Sequence, residues 1–351
     1  MNTTAFTIDS HSWGSHSSSD LPIFLQTAWS SFGNNLRELS LRGHAFSFRR
    51  IIQSNSTFPS LEELSLELID DPTSSTNRAG EAEVLVTDLE PFITSLSSQL
   101  KVLDIWSLAT SDLSHFFLNL GQFPLLTSFK LETSFTKTFR ADPSGLTKFL
   151  QNHCSQLECL VLRLNTAPLG LQTGRVSEEL LGRWMKECFS SLTFTRLRDL
   201  EMYPTVQRGG MEALVLCIQQ SQDTLKRLII RDRYLDHEEI EMTMLSLSPD
   251  IRSLRFNAKT LNVELVDLAS RLSELRSLSF GVGNLSPTFL EAMDGRSYTN
   301  WKLEDLEIWR GGSRMELPVM RSLMRSTPSL INFWGTPYVK YGLGNSDDWI
   351  H

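Results

Sequence analysis

The chain has 351 residues, 33 Lys and Arg against 41 Asp and Glu, and so a formal charge of −8. With 40% hydrophobic and 21% charged residues it has the make-up of a folded protein, long enough to bury a sizeable core. The acidic balance disfavours non-specific nucleic-acid binding, no apolar run reaches the roughly 18 residues of a membrane span, and the few cysteines do not make a disulfide scaffold.

Residues 1–20 are rich in Ser, Thr, Asn and His and are expected to be disordered. Met1–Ser10 has neither a basic n-region nor an apolar h-region, so the default location is cytoplasmic or nuclear. Leu21–Phe32 is amphipathic and is expected to cap the first strand. From there one phrase recurs: L-x-x-L-x-L, with Ile, Phe or Met sometimes replacing Leu. Its first positions are Leu36, Leu61, Leu100, Leu126, Leu157, Leu197, Leu225, Ile251, Leu275, Leu303 and a degraded Leu330, spaced 24 to 40 residues apart. The last two apolar positions of each phrase are two apart and so point to one side of a short strand. Such a strand is not stable alone, but stacked on its neighbours it shares a continuous core.

The segments between phrases carry apolar residues at helical spacing. These include Ser47–Ser54, Asp112–Leu120, Pro143–Asn152, Ser177–Phe189, Gly210–Gln219, Asp236–Leu247, Leu261–Leu272, Pro287–Met293 and Pro318–Met324. Asp142-Pro143 and Ser286-Pro287 read as an N-cap followed by Pro at the first helical position. The two longest steps hold insertions around 70–83 and 167–175, the first polar and expected as a mobile surface loop; the tail, 341–351, is expected to be exposed.

Strand, turn and helix repeated about every 29 residues resemble a leucine-rich-repeat solenoid of the ribonuclease-inhibitor-like type. The resemblance implies an α/β horseshoe over residues 21–340, with about eleven repeats, a parallel β-sheet on the concave face and helices on the convex face. One departure is the Asn or Cys that such repeats carry about eight residues after the first Leu: only Asn165 fits. The divergent phrases resemble the repeat region of fungal F-box/leucine-rich-repeat proteins, although no F-box is recognisable. That resemblance implies a non-catalytic protein-protein interaction module, a substrate receptor for a cullin-based ubiquitin ligase, with an adaptor bound if an F-box lies upstream. The alternative is a scaffold or inhibitor-type repeat protein with no ubiquitin link.

No catalytic, cofactor-binding or metal motif emerges. There is no phosphate loop and no nucleophile elbow; Gly281-Val282-Gly283 lacks the third Gly of a dinucleotide site; His237-Glu238 lacks the second His of a zinc-protease helix. His153, Cys154 and Cys159 cluster without a C-x-x-C and read as packing residues. The expectation is therefore no enzyme, no cofactor, no nucleic acid and no membrane, and a protein or peptide partner on the concave face. Period-two geometry places Glu132 beside Arg163, Asp104 beside Lys130 and Asp199 beside Arg227 on that face. Tyr203 falls between Arg163 and Arg231, a setting for cation–π stacking. Arg227, Arg231 and Arg255 form a basic centre suited to an acidic segment, and Trp106, Trp309 and Trp334 project where no helix covers them. Trp106, Arg163, Tyr203, Arg227, Arg231, Arg255, Trp309 and Trp334 are the candidate partner-binding residues.

Overall fold

A computed structural model of the chain describes residues 3–10, 20–52, 58–69, 80, 83–107, 113–135, 139, 141–165, 178–206, 208–311 and 313–334. The insertion at 167–175 and the tail at 341–351 lie outside the described residues, as does all of 70–83 except Gly80 and Glu83. The chain divides into two compact units, Met1–Leu197 with Gln207–Ala213, and Arg198–Val206 with Leu214–His351.

The first unit contains β1 (Ala5–Asp9), β2 (Glu38–Gly43), β3 (Glu63–Leu68), β4 (Val102–Ser107), β5 (Ser128–Glu132) and β6 (Cys159–Arg163). Each is parallel to the one before it. The second contains β7 (Asp199–Met202), β8 (Arg227–Leu235), β9 (Ser253–Leu261), β10 (Ser277–Leu285) and β11 (Asp305–Arg310), again parallel in sequence order. There β12 (Ser313–Arg314) turns back antiparallel to β11 after Gly311, whose φ is +48°, and β13 (Asn332–Trp334) runs parallel to β11.

All eleven repeat phrases form strands, and the fold is the α/β repeat solenoid that the phrase predicts. In the first ten, all three apolar positions are buried; in the last, Leu330 and Phe333 are half-buried. Burying one such side chain stabilises by about 1.5–3 kcal/mol, so stacked triplets offset the ordering of many short strands. Helices alternate with the strands at Ala45–Ile52, Ser114–Asn119, Ser144–His153, Glu178–Ser190, Arg208–Gln220, His237–Ser246, Val263–Ser270, Phe289–Met293 and Leu317–Ser326. These match the nine periodic segments to within a few residues. The helix Glu90–Ser95, preceded by a wide turn at Leu85–Leu89, was not anticipated.

The caps are shifted from their expected places. Asp142 accepts from the Ser144 N–H at 3.1 Å, so the helix begins after Pro143. Thr288, not Ser286, occupies the N-cap position of the helix Phe289–Met293, and its side chain makes no capping hydrogen bond. Between Ser114–Asn119 and Ser144–His153, Phe117, Phe129 and Phe149 form an aromatic core with ring centroids 4.8–6.1 Å apart.

The expectation of disorder over 1–20 fails at Ala5–Asp9. Its strand extends the sheet beside β2, and Ser10 N–H donates to the Arg42 carbonyl at 2.8 Å. Ile8 is buried, and Phe6 packs edge-on against Trp29 at 5.6 Å. Backbone pairing and the aromatic contacts of Phe6 with Trp29 and Phe32 outweigh the polar composition. Residues 11–19 lie outside the described residues. Leu21–Phe32 does form a helix, Asp20–Phe32, but the edge of β2 is capped by β1. Among the described residues no helix is long and apolar enough to cross a membrane.

Candidate protein-interaction face

The residues that flank the buried positions of each strand lie on the opposite side of the sheet. In the first unit they align in register. One row runs Asp9, Arg42, Glu67, Trp106, Glu132, Arg163 across β1 to β6. Its charges pair outward from the tryptophan. Arg42 Nε lies 2.9 Å from Glu67 and a guanidinium nitrogen lies 3.7 Å from Asp9; Arg163 lies 2.6 Å from Glu132. Trp106 stands half-buried between the two glutamates. Burial pushes the Glu67 carboxyl above the ordinary carboxylate range, with Asp9 adding to the rise and Arg42 opposing it. The expected Asp104–Lys130 pair forms at 3.7 Å. At the start of the strands, Glu38 and Glu63 are exposed register partners, and among the described residues neither has an ion-pair partner.

The second unit departs further from expectation. Asp199 and Arg227 are register partners but make no ion pair; Arg227 is exposed. Arg231 is only 7% exposed, and its Nε donates to Glu201 at 2.6 Å. Tyr203, expected on the open surface, is 6% exposed, so its ring does not present itself to a partner. The strand β8 is itself irregular. Its register with β9 shifts after Ile229, so that Tyr234, not Arg231, stands opposite Asn257. Asp232 takes φ +61° in that bulge, and Arg233 turns inward to donate to the Thr205 carbonyl and to Glu239. A bulge adds a residue to one strand and re-aims the side chains after it. The basic centre of three arginines is therefore corrected: Arg231 is neutralised by Glu201, leaving Arg227 and Arg255.

Arg255 makes the cation–π contact that was expected at Tyr203. Its guanidinium carbon lies 5.3 Å from the centre of the Trp309 ring. The two residues sit two strands apart, with β10 between them. Ser279 and Gly281 are the intervening residues, and a Cβ on Gly281 would fall 2.6 Å from Asn257 Oδ1. Small residues on β10 thus leave the space through which Arg255 reaches Trp309. Burial, with Arg231 adding repulsion, pushes the Arg255 guanidinium down to about 10, and Glu307 and Glu201 counter this; it remains cationic at neutral pH. Ser279 donates to Glu307 at 3.1 Å. Trp334 lies opposite Glu307 in register.

His153 is a core residue. Its Nδ1 lies 2.7 Å from the Phe149 carbonyl and its Nε2 accepts the Phe123 N–H at 2.9 Å, which fixes Nδ1 as the protonated nitrogen. With both nitrogens committed, the ring has no lone pair for a metal. Cys154 is buried beside it.

No protein-family model and no curated protein matches the sequence. Among solved structures, the chain is similar to one from the crystal structure of the Rad7 and Elc1 complex in yeast. The identity is 16% and the TM-score 0.47, and the match covers 100% of this chain and 83% of that one.

Proposed function

We propose that this chain is a non-catalytic repeat scaffold that binds a protein or peptide partner on the helix-free face of its strands. The observation that carries the reading is the register of that face: rows of charged side chains interrupted by half-buried Trp106 and Trp309, opposite a face of packed leucines. Half-exposed tryptophans on rigid strands, beside arginines, are the residue types that dominate binding energy at interfaces. Trp106, Arg163, Arg227, Arg255, Trp309 and Trp334 are the proposed contacts. Tyr203 and Arg231, being buried, support the face from beneath.

The finer reading follows the resemblance to F-box/leucine-rich-repeat proteins: substrate recognition for a cullin-based ubiquitin ligase, in the cytoplasm or nucleus. A scaffold or inhibitor role without ubiquitin is the alternative. Affinity purification with mass spectrometry tests both levels. The wild-type chain should recover partners that a Trp309→Ala, Arg255→Ala variant loses. Equal recovery by both proteins overturns the proposed face; a cullin adaptor among the partners separates the ligase reading from the scaffold.

A further inference from the structure

Two open-face tryptophans, Trp106 and Trp309, differ in a way that points to a ligand. Trp309 and Trp106 occupy the same position of their strand phrases. Trp309 has a cation from its own chain, Arg255, over its ring. Trp106 has a carboxylate on either side, Glu67 and Glu132, and among the described residues no cation lies over it. The ring face is a seat for a cation, and flanking carboxylates strengthen the attraction. The surroundings carry the same sign. The open face of the first unit holds Asp9, Glu38, Glu63, Glu67, Asp104 and Glu132 against three cations, Arg42, Lys130 and Arg163, a net charge of −3.

Glu38 and Glu63 add a second, independent sign of a missing cation. They face each other directly across β2 and β3. Like charges in that relation are destabilising. A shallow groove of about 190 Å³ is lined by these two glutamates with Ser40, Ser65, Asp104 and Lys130, and Trp106 follows Asp104 two residues on along β4.

We propose that this face of the first unit docks a basic peptide segment of a partner protein. One Lys or Arg stacks on Trp106 between Glu67 and Glu132; a second sits between Glu38 and Glu63. The two seats are about four residues apart along the strands and one to two strands apart across them, about 15 Å in all from standard strand spacings. An extended peptide spans that distance in about four or five residues. A second copy of this chain is a poor occupant, because its net charge is −8. The inference rests on the proposed interaction role and names its partner chemistry.

The test is a random peptide display library panned against the full chain, followed by titration of the enriched peptides. Enrichment of two basic residues four or five positions apart is expected. The affinity of such a peptide should fall about tenfold in Trp106→Leu and severalfold in Glu38→Gln, Glu63→Gln, and weaken further as salt rises. The glutamate pair is exposed, so that variant keeps the question open to measurement even where Trp106→Leu disturbs folding. Enriched peptides that are acidic or uncharged, yet blocked by other open-face substitutions, overturn the basic-segment proposal and leave the interaction role standing. No enrichment, or binding indifferent to every open-face substitution, overturns both.

Discussion

Replacing Glu201 by Gln removes the carboxylate that bonds Arg231 Nε. The pair is separated by 2.6 Å and its side chains are 13% and 8% exposed, so solvent screens it little. An ion pair that loses one partner leaves an uncompensated buried charge, a penalty of about 3–5 kcal/mol. The lower end applies here, because both side chains keep some contact with water and Gln retains an acceptor oxygen. The substitution has a second effect: Glu201 is one of the carboxylates that offset burial at Arg255, which Arg231 already repels. We therefore expect Glu201→Gln to cost about 3 kcal/mol, a fall in Tm of about 6–12 °C for a domain of this size. Equilibrium urea unfolding and calorimetry measure it. The double variant Glu201→Leu, Arg231→Met replaces the pair with apolar side chains and should recover most of the loss, because the penalty comes from the orphaned charge and not from the missing bond. A single-variant loss under about 1 kcal/mol, or additive losses in the double variant, refutes the reasoning.

Gly145→Ala places a Cβ 2.5 Å from the Leu118 nitrogen and 2.6 Å from the Ser114 carbonyl oxygen, both backbone atoms that cannot swing aside. The resulting strain, about 1–3 kcal/mol, should exceed the gain of under about 1 kcal/mol from helix propensity, so urea unfolding should show net destabilisation. His153, whose pKa burial lowers, should make stability fall as pH drops below its ordinary value near 6.5, since the unfolded chain then takes up a proton that the folded ring resists; His153→Gln should flatten that limb of a pH–stability curve. Asp236 accepts from the Glu239 N–H at 3.1 Å in a reciprocal capping box, so Asp236→Ala should cost about 1–2 kcal/mol in thermal unfolding, and Asp236→Asn much less.

The strand phrase carries most of this fold. Two apolar residues two apart, entered by a third that is buried in the preceding turn, specify both the strand and its register. That is why the sequence-derived neighbours Asp104–Lys130 and Glu132–Arg163 meet as ion pairs. The rows fail where the period breaks. Arg231-Asp232-Arg233 puts three charges in succession inside β8, which no two-sided strand can accommodate without sending one inward. That run was the available signal of the bulge. The strand Ala5–Asp9 was hidden by its polar neighbours, although AFTID alternates as a strand should. The Arg255–Trp309 contact was not legible from either residue alone; its signal is the small pair Ser279 and Gly281 on the strand between them.

The bulge also separates two arginines that composition groups together. Arg227 is exposed on the open face; Arg231 is buried against Glu201. An exposed charge at the edge of an interface steers encounter and is screened by salt, whereas a buried one acts through the structure around it. Arg227→Ala should therefore leave the unfolding transition within about 0.5 kcal/mol of wild type and alter chiefly the association rate and its salt dependence for a partner on the second unit. Arg231→Ala should do the reverse, lowering stability because it leaves Glu201 buried without its cation, while dissociation changes only as far as the face itself distorts. Stopped-flow association at two salt concentrations, beside urea unfolding of the same two variants, reads both quantities. Equal effects of the two substitutions on association, with no difference in stability, would mean that Arg231 meets the partner directly and that the inward turn of β8 has been assigned the wrong consequence.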